Sequence, residues 1–383
     1  MSTTQGLILS VVAYPFMLAL IPLGLASFRW AGHDPAQIPL ESTYFRVLMY
    51  GTLIMLARSA ISGFFSGIGR TRIIMFANIA ALVVNTLLAW MLIFGRFGAP
   101  QMGMSGAALA LLTGETVALL ILLGAYLTPA NRAEFAVDRA WRFDREVMWR
   151  LLRFGSPSGL ELCINLTAFT SMIFMFHGYG EKTASAVTIA FNWDMVAFVP
   201  MIGLQIAVMS LVGQNMGAGD VAGAKRAAWS GMKLIVFYSG AMTLLFLLAT
   251  DTLIGVFRPH PAPADFAEIA RMARVMIMLM TVYLFSDGLF IVFSGAIRGA
   301  GDTTWAMVAS ALLHWGAALN VWVCTKWLRL DPVHAWSFYV LSFPVFGLVF
   351  WLRFRGGKWQ RHRLAGTTPR PPPALEETPA PPT

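Results

Sequence analysis

Charge is what this sequence has least of. Asp, Glu, Lys and Arg make up only 12% of its 383 residues, where a water-soluble domain carries roughly 25%. So few charged groups cannot dress a soluble domain of this length. Cysteine is also scarce. Cys163 and Cys324 both lie in apolar runs with no metal-ligand spacing, which argues against a disulfide or a thiolate metal site and leaves packing as their role. His177 and His314 are isolated, with no zinc-type spacing, and read as packing or interface residues. A Walker loop, a dinucleotide-binding glycine fingerprint and an HExxH sequence are all missing, which speaks against an ATP-driven pump and a metalloprotease. No clustered His/Asp/Glu set suggests a membrane-embedded enzyme. The segment after Met1 has no basic stretch ahead of its apolar run, so no secretory signal is expected.

What the chain does have is apolar length. Hydrophobic residues make up 57% of it, and its mean hydropathy is +0.66. They gather in runs of about 20, enough for a helix to cross the hydrocarbon. Ten such runs are expected, near residues 6–28, 44–67, 73–95, 104–128, 155–177, 184–212, 228–256, 268–297, 304–327 and 334–353. The fold class is therefore all-α and polytopic, in an integral membrane protein. Residues 131–150 form the longest hydrophilic stretch and the natural seam, dividing an N-terminal lobe (1–130) from a C-terminal lobe (151–355). The Pro/Thr/Ala-rich tail, 356–383, cannot bury a core and is expected to be disordered.

The net charge of +9 does not point to nucleic acid, because the basic residues flank helix ends. One set of alternate loops holds a roughly twofold excess of Lys and Arg, which places both termini in the cytoplasm. Membrane lipid is the expected neighbour. Lys233 and Lys326 can snorkel to the headgroups, and Trp327, Trp336 and Trp351 fit an interfacial aromatic belt. The 22 Met and 28 Phe residues suit either lipid-facing helices or an adaptable cavity for hydrophobic substrates.

An internal repeat organises the chain. Ser62-Gly-Phe-Phe-Ser-Gly-Ile-Gly-Arg-Thr71 recurs as Ser294-Gly-Ala-Ile-Arg-Gly-Ala-Gly-Asp-Thr303, and the same offset aligns Met75 with Met307 and Ala77 with Ala309. Parallel repeats of whole helix bundles are a feature of secondary transporters. The first copy closes the second span of its half and the later copy closes the fourth. The first half is thus expected to be two helices short of the second, and a complete protein to have about twelve. Gly63/Gly67 and Gly295/Gly299 are four apart, the spacing that lets membrane helices approach closely, and Gly69 and Gly301 follow them at the turn.

Several motifs in order resemble those of the multidrug and toxic compound extrusion (MATE) transporters. Leu211-Val-Gly-Gln-Asn-Met-Gly-Ala-Gly-Asp220, with Gly213, Gln214, Gly217 and Gly219, is similar to that family's signature after its eighth helix. The Ser294–Thr303 segment, with Gly295, Arg298, Gly299, Gly301, Asp302 and Thr303, is similar to the signature ending its tenth. Phe154-Gly-Ser-Pro-Ser-Gly159 resembles the start of its seventh helix, and Gly103-Met-Ser-Gly-Ala-Ala108 the start of its sixth. The resemblance covers roughly residues 6–355 and matches the family's third to twelfth helices. It implies two lobes and export of bulky, often cationic or hydrophobic, organic compounds from a bacterial inner membrane. Transport would be driven by inward H⁺ or Na⁺, with no other cofactor.

Acids inside spans are costly and are functional candidates by default. A carboxylate in a low-dielectric cavity can exchange a proton near neutral pH or coordinate Na⁺, and either event can bias which side is open. Asp287 stands first, because its place is similar to the acid of the family's tenth helix, and Na⁺ is expected there if it is the coupling ion. Glu161 and Asn165 share one helical face. Some relatives carry a cation-binding carboxylate eight residues after the proline of this helix, where this chain has Asn165, so Glu161 one turn earlier can stand in for it. Asp194, after Phe191-Asn-Trp, is the fourth candidate, and Glu115 is a weaker fifth. The N-terminal lobe keeps Asn85 but has Ala89 where some relatives place an acid, so coupling is expected in the C-terminal lobe. Two other readings stay open: a transport-incompetent truncated member, and a flippase for lipid-linked oligosaccharides. The flippase needs a strongly cationic cavity, for which Arg58 is the main residue.

Overall fold

The computed structural model describes residues 2–30, 37–135, 142–259 and 265–361. All regular structure among these residues is helical. The chain falls into two compact units, Met1–Arg153 and one beginning at Phe154. The boundary lies inside a helix, close to Gly155 and Pro157, where the proline ring removes one backbone hydrogen bond.

The first unit contains α1 (Ser2–Ala19), α2 (Ile21–Trp30), α3 (Ile38–Gly67), α4 (Thr71–Phe94), α5 (Gly103–Tyr126), the short α6 (Pro129–Phe135) and the first turns of α7 (Arg145–His177). Helix α5 packs on both α3 and α4, and α1 packs on α3. Its glycines make this possible. A Cβ on Gly114 would sit 2.8 Å from the Ala81 carbonyl oxygen, and one on Gly106 2.8 Å from Leu92 Cβ. A small core of Ile61, Phe65, Ala77, Ala118, Leu122 and Tyr126 fills the centre.

The second unit contains the rest of α7, then α8 (Glu181–Gly217), α9 (Val221–Gly255), α10 (Phe266–Gly299), α11 (Thr303–Trp322, extended by a π-helical turn through Trp327), α12 (Pro332–Val340) and α13 (Phe343–Arg355). Helix α10 is the hub, packing against α8, α9 and α13, and it is the most buried of all the candidate spans. Helices α12 and α13 together make one span, so ten segments among the described residues are long and apolar enough to cross a membrane. The chain is an all-α integral membrane protein.

The repeated motif is a helix stop. Gly301 closes α10 at φ +91°, with its N–H donating to the Arg298 carbonyl (2.9 Å) and the Asp302 N–H donating to the Ile297 carbonyl (3.1 Å). The same two bonds recur at Gly69 (φ +77°) and Gly219 (φ +79°). Such a left-handed cap needs a residue without Cβ, which is why glycine stands at all three places. The acid after the cap then starts the next helix at Asp220, whose carboxylate accepts from the Gly223 N–H at 2.7 Å.

The two copies differ in their packing. A Cβ on Gly299 would lie 2.4 Å from the Met209 carbonyl oxygen, one on Gly295 2.7 Å from that of Gln205, and one on Gly213 3.2 Å from that of Gly299. Helices α8 and α10 therefore meet backbone to backbone. Gly63 and Gly67 have nothing within 4 Å of a built Cβ, so the close-packing role expected of them does not hold in this unit. Gly299→Ala is accordingly expected to cost about 1–3 kcal/mol through overpacking against a backbone that cannot yield. Its repeat equivalent, Gly67→Ala, should be neutral or slightly stabilising. Thermal unfolding of the two variants in detergent distinguishes them; equal midpoints would remove the asymmetry.

Two further expectations change. Trp336 is in the core, 1% exposed, edge-on to Phe176 and Phe191 and donating to the Met276 carbonyl at 3.2 Å. Its place in α12 turns it inward, while Trp327 stays exposed as a belt residue would. The tail remains ordered at its start. Trp359 is fully buried, stacks on Phe354 at 4.9 Å and donates to its carbonyl at 2.7 Å. Residues 362–383, where disorder was expected, lie outside the described residues. Both cysteines are free thiols, Cys163 exposed on α7 and Cys324 buried.

Candidate functional site

Helix α10 carries Asp287 into the interior of the second unit, where the residue is 5% exposed. The following Gly288 lets α9 approach: a Cβ there would be 2.8 Å from Ile235 Cγ1 and 3.3 Å from Ser239 Oγ. One turn before Asp287, Tyr283 donates its hydroxyl to the Asp194 carboxylate of α8. The Tyr283 ring stacks on Phe343 at 4.6 Å, and Tyr339 meets the same Phe343 edge-on at 5.1 Å. Asp194 and Asp287 act on each other electrostatically, and both act on Tyr339. The result is a small polar island of two carboxylates and two phenols in an aromatic wall. Among the described residues, Asp194 has its tyrosine, while the Asp287 carboxylate has no hydrogen-bond or ion-pair partner. Two carboxylates in a low-dielectric space oppose each other's ionisation unless a cation joins them.

The other two candidates belong to a different place. Arg298 lies about 16 Å further along α10 than Asp287, at 1.5 Å per residue, and its guanidinium pairs with the Glu161 carboxylate of α7. This pair is buried, with side-chain exposures of 15% and 5%. Glu161 is therefore committed to the signature arginine and does not sit bare beside Asp287. Asn165, one turn on, donates to Ser310 Oγ of α11 at 2.9 Å. Also in the signature, Asp302 accepts two bonds from Arg353 of α13, at 3.0 and 2.7 Å, and that guanidinium lies 4.8 Å from the Trp305 ring centre. The bond ties the end of α10 to the last span.

In the first unit, Glu115 pairs with Arg58 at 2.5 Å, and Arg58 also donates to Asn78 Oδ1 at 2.6 Å. Both line a pocket of about 200 Å³ together with Asn85. The charge of Arg58 is thus balanced by Glu115.

Tyr283 and Ser310 are the site residues that the sequence reading missed. For Tyr283 the signal is present, since it lies four residues before Asp287 and so on the same helical face. For Ser310, spacing relates it only to His314 on its own helix, while Asn165, which donates to it, comes from α7. Tyr283→Phe removes the hydroxyl held by Asp194 without changing the ring. It is expected to weaken coupled transport by about tenfold, in line with the loss of one hydrogen bond to a charged group, leaving the stack on Phe343 intact. Wild-type rates in vesicles containing this variant would exclude a role for the hydroxyl.

Ten candidate spans among the described residues, an internal repeat and a carboxylate, Asp287, buried within a span define a polytopic membrane transporter. The MatE family model matches residues 2–91 and 157–322, more than half of the chain, and the chain belongs to the MATE family of multidrug efflux transporters. It is 28% identical over 334 residues to the probable multidrug resistance protein NorM of Rhizobium meliloti (strain 1021), covering 85% of this chain and 70% of that one. It is 30% identical over 263 residues to the multidrug resistance protein PmpM of Pseudomonas aeruginosa, covering 67% of this chain and 53% of that one. Among solved structures, a MOP superfamily transporter from Pyrococcus furiosus Vc1 superposes with a TM-score of 0.83 at 20% identity, over 94% of this chain and 79% of that one. An outward-facing multidrug resistance MATE family transporter gives 0.82 at 21% identity, with the same coverage. At these identities the likeness is one of fold.

Proposed function

We propose that this chain exports organic small molecules, often cationic or hydrophobic, in exchange for inward H⁺ or Na⁺, by alternating access of an N-terminal lobe (1–130) and a C-terminal lobe (151–355) joined by a cytoplasmic linker. The bacterial relatives named as multidrug resistance proteins support the substrate class and an inner-membrane location. The twofold Lys/Arg excess supports cytoplasmic termini.

The observation that carries the coupling assignment is Asp287: a carboxylate buried inside a span, acting on a second acid, with no cationic side chain paired with it among the described residues. Such a group favours uptake of a monovalent cation, H⁺ or Na⁺, and cation binding changes the charge inside the lobe. Asp194 and Tyr283 would complete the site by sharing the load. Glu161 enters as a support of the signature end of α10, and Asn165 as a tie from α7 to α11. The flippase reading draws no support from Arg58, since Glu115 cancels its charge.

Everted membrane vesicles provide the test. Adding a lipophilic cation such as ethidium should dissipate a preformed H⁺ or Na⁺ gradient only in vesicles containing the protein. A folded protein that dissipates neither gradient would overturn the proposal.

A further inference from the structure

The start of α7 is basic and amphipathic, and it lies outside the hydrocarbon. The 33 residues of α7 run for about 50 Å at the α-helical rise, against about 30 Å of hydrocarbon. Its apolar run begins near residue 155, so the turns before it stand at headgroup level. A hydrogen bond fixes that level. Gln5, fully buried in the first turns of the α1 span, donates from Nε2 to the Arg142 carbonyl at 2.7 Å. Residues 142–153 contain four arginines and two acids, and both acids are already committed. Asp144 caps the helix, accepting from the Glu146 and Val147 N–H groups at 2.9 and 3.0 Å. Glu146 pairs with Arg150 one turn on. Arg142, Arg145 and Arg153 are exposed and have no ion pair among the described residues. Arg145, Met148, Trp149 and Leu152 recur at spacings of three and four, so they share one side of the helix. With Glu146 at its edge, this side lines an open hollow of about 650 Å³. Trp149 is 65% exposed there.

A guanidinium at the head of an apolar and aromatic stripe, at the membrane boundary, matches a molecule with an anionic head and a hydrocarbon body. We propose that this side of α7 binds an anionic phospholipid, its phosphate on Arg145 and its glycerol and upper acyl chain against Met148, Trp149 and Leu152. Arg142 and Arg153 add to the positive field. The helix N–H groups take no part, because the Asp144 carboxylate occupies them. Net charge on the lipid matters here. A zwitterionic lipid brings its own ammonium group, which cancels most of the attraction to three uncompensated arginines. Free phosphate answers the charge but leaves the indole and Leu152 in water, whereas a lipid covers both. The inference needs only the membrane class of the protein and does not depend on the coupling ion.

Native mass spectrometry of the full-length protein in detergent, titrated with phosphatidylglycerol or with phosphatidylcholine of identical chains, tests the site. Phosphatidylglycerol is expected to be retained about tenfold more tightly. Arg145→Gln should weaken its retention about fivefold, the weight of one basic residue at an anionic surface. Adding Arg153→Gln should weaken it further. Trp149→Ala should lower retention of both lipids, because it removes an apolar contact rather than a charge. Arg96→Gln, in the loop after α4, removes the same charge from another exposed position and should change nothing. Glycerol phosphate, a headgroup without chains, should not displace the lipid at equal concentration. Four results would each overturn the inference. They are equal retention of the two lipids, wild-type retention by Arg145→Gln/Arg153→Gln, an equal loss in Arg96→Gln, and displacement by glycerol phosphate. The last of these would make the face a site for free anions. All the substituted side chains are exposed, so the variants are expected to fold, and their thermal midpoints in detergent serve as the control.

Discussion

Asp287→Asn is expected to abolish gradient-coupled transport, lowering the rate by about 100-fold or more, while leaving the protein folded. The change keeps the shape of the side chain and removes only its capacity for charge. Asp287 makes no hydrogen bond to another described residue, so no structural contact is lost with it. Relieving a buried carboxylate of its charge should leave stability equal or slightly improved. The expected size follows from the worth of a positioned proton-transfer group, about 10²–10⁴-fold. Substrate-induced H⁺ or Na⁺ flux in everted vesicles measures the loss, with the thermal midpoint of the same preparation as control. Persistent flux in Asp287→Asn would end its assignment as the coupling acid. Asp194→Asn should be milder in transport, because the amide oxygen can still accept from Tyr283 and Asp287 remains to take the cation.

The largest stability effect is expected at Glu161 and Arg298. Either single change, Glu161→Gln or Arg298→Gln, leaves a buried charge without its partner, which costs about 3–5 kcal/mol. The double change removes both charges and should recover most of that loss, since the amides can bond each other and desolvation of two ions is avoided. Unfolding of the four proteins in one detergent gives the cycle. Equal destabilisation by the single and double variants would show that the pair is not what holds α7 to α10. This cycle also separates a supporting role for Glu161 from a coupling role: a double variant that is stable and still transports leaves Asp287 as the coupling acid.

These expectations show how unevenly site residues can be read from a sequence. Asp287 stands out at once, because an acid in a span has few reasons to exist. Glu161 stands out for the same reason, yet its partner Arg298 lies on another helix, 137 residues away. Spacing along α7 relates Glu161 to Asn165 but cannot reveal a cation arriving from α10. Glu115 repeats the case, with Arg58 as its partner. Trp336 fits a belt by its position near a span end, and only the packing of α12 against α10 turns it into the core.

The sequence by itself determined the membrane class, the ten spans and the repeat. It also determined the three helix stops at Gly69, Gly219 and Gly301. All of these depend on local properties: apolar length against bilayer thickness, and backbone conformations open only to glycine. Tertiary structure decided which acids are free and which are paired, and which of two identical glycine spacings carries a helix contact. A Cβ on Gly299 would meet the Met209 backbone and one on Gly67 would have nothing within 4 Å, although they occupy equivalent places in one repeated motif. The reason is physical. A pattern along one helix defines the face that a residue occupies, but whether that face meets a cation, a carbonyl or open space depends on a second helix whose approach is not encoded within the pattern.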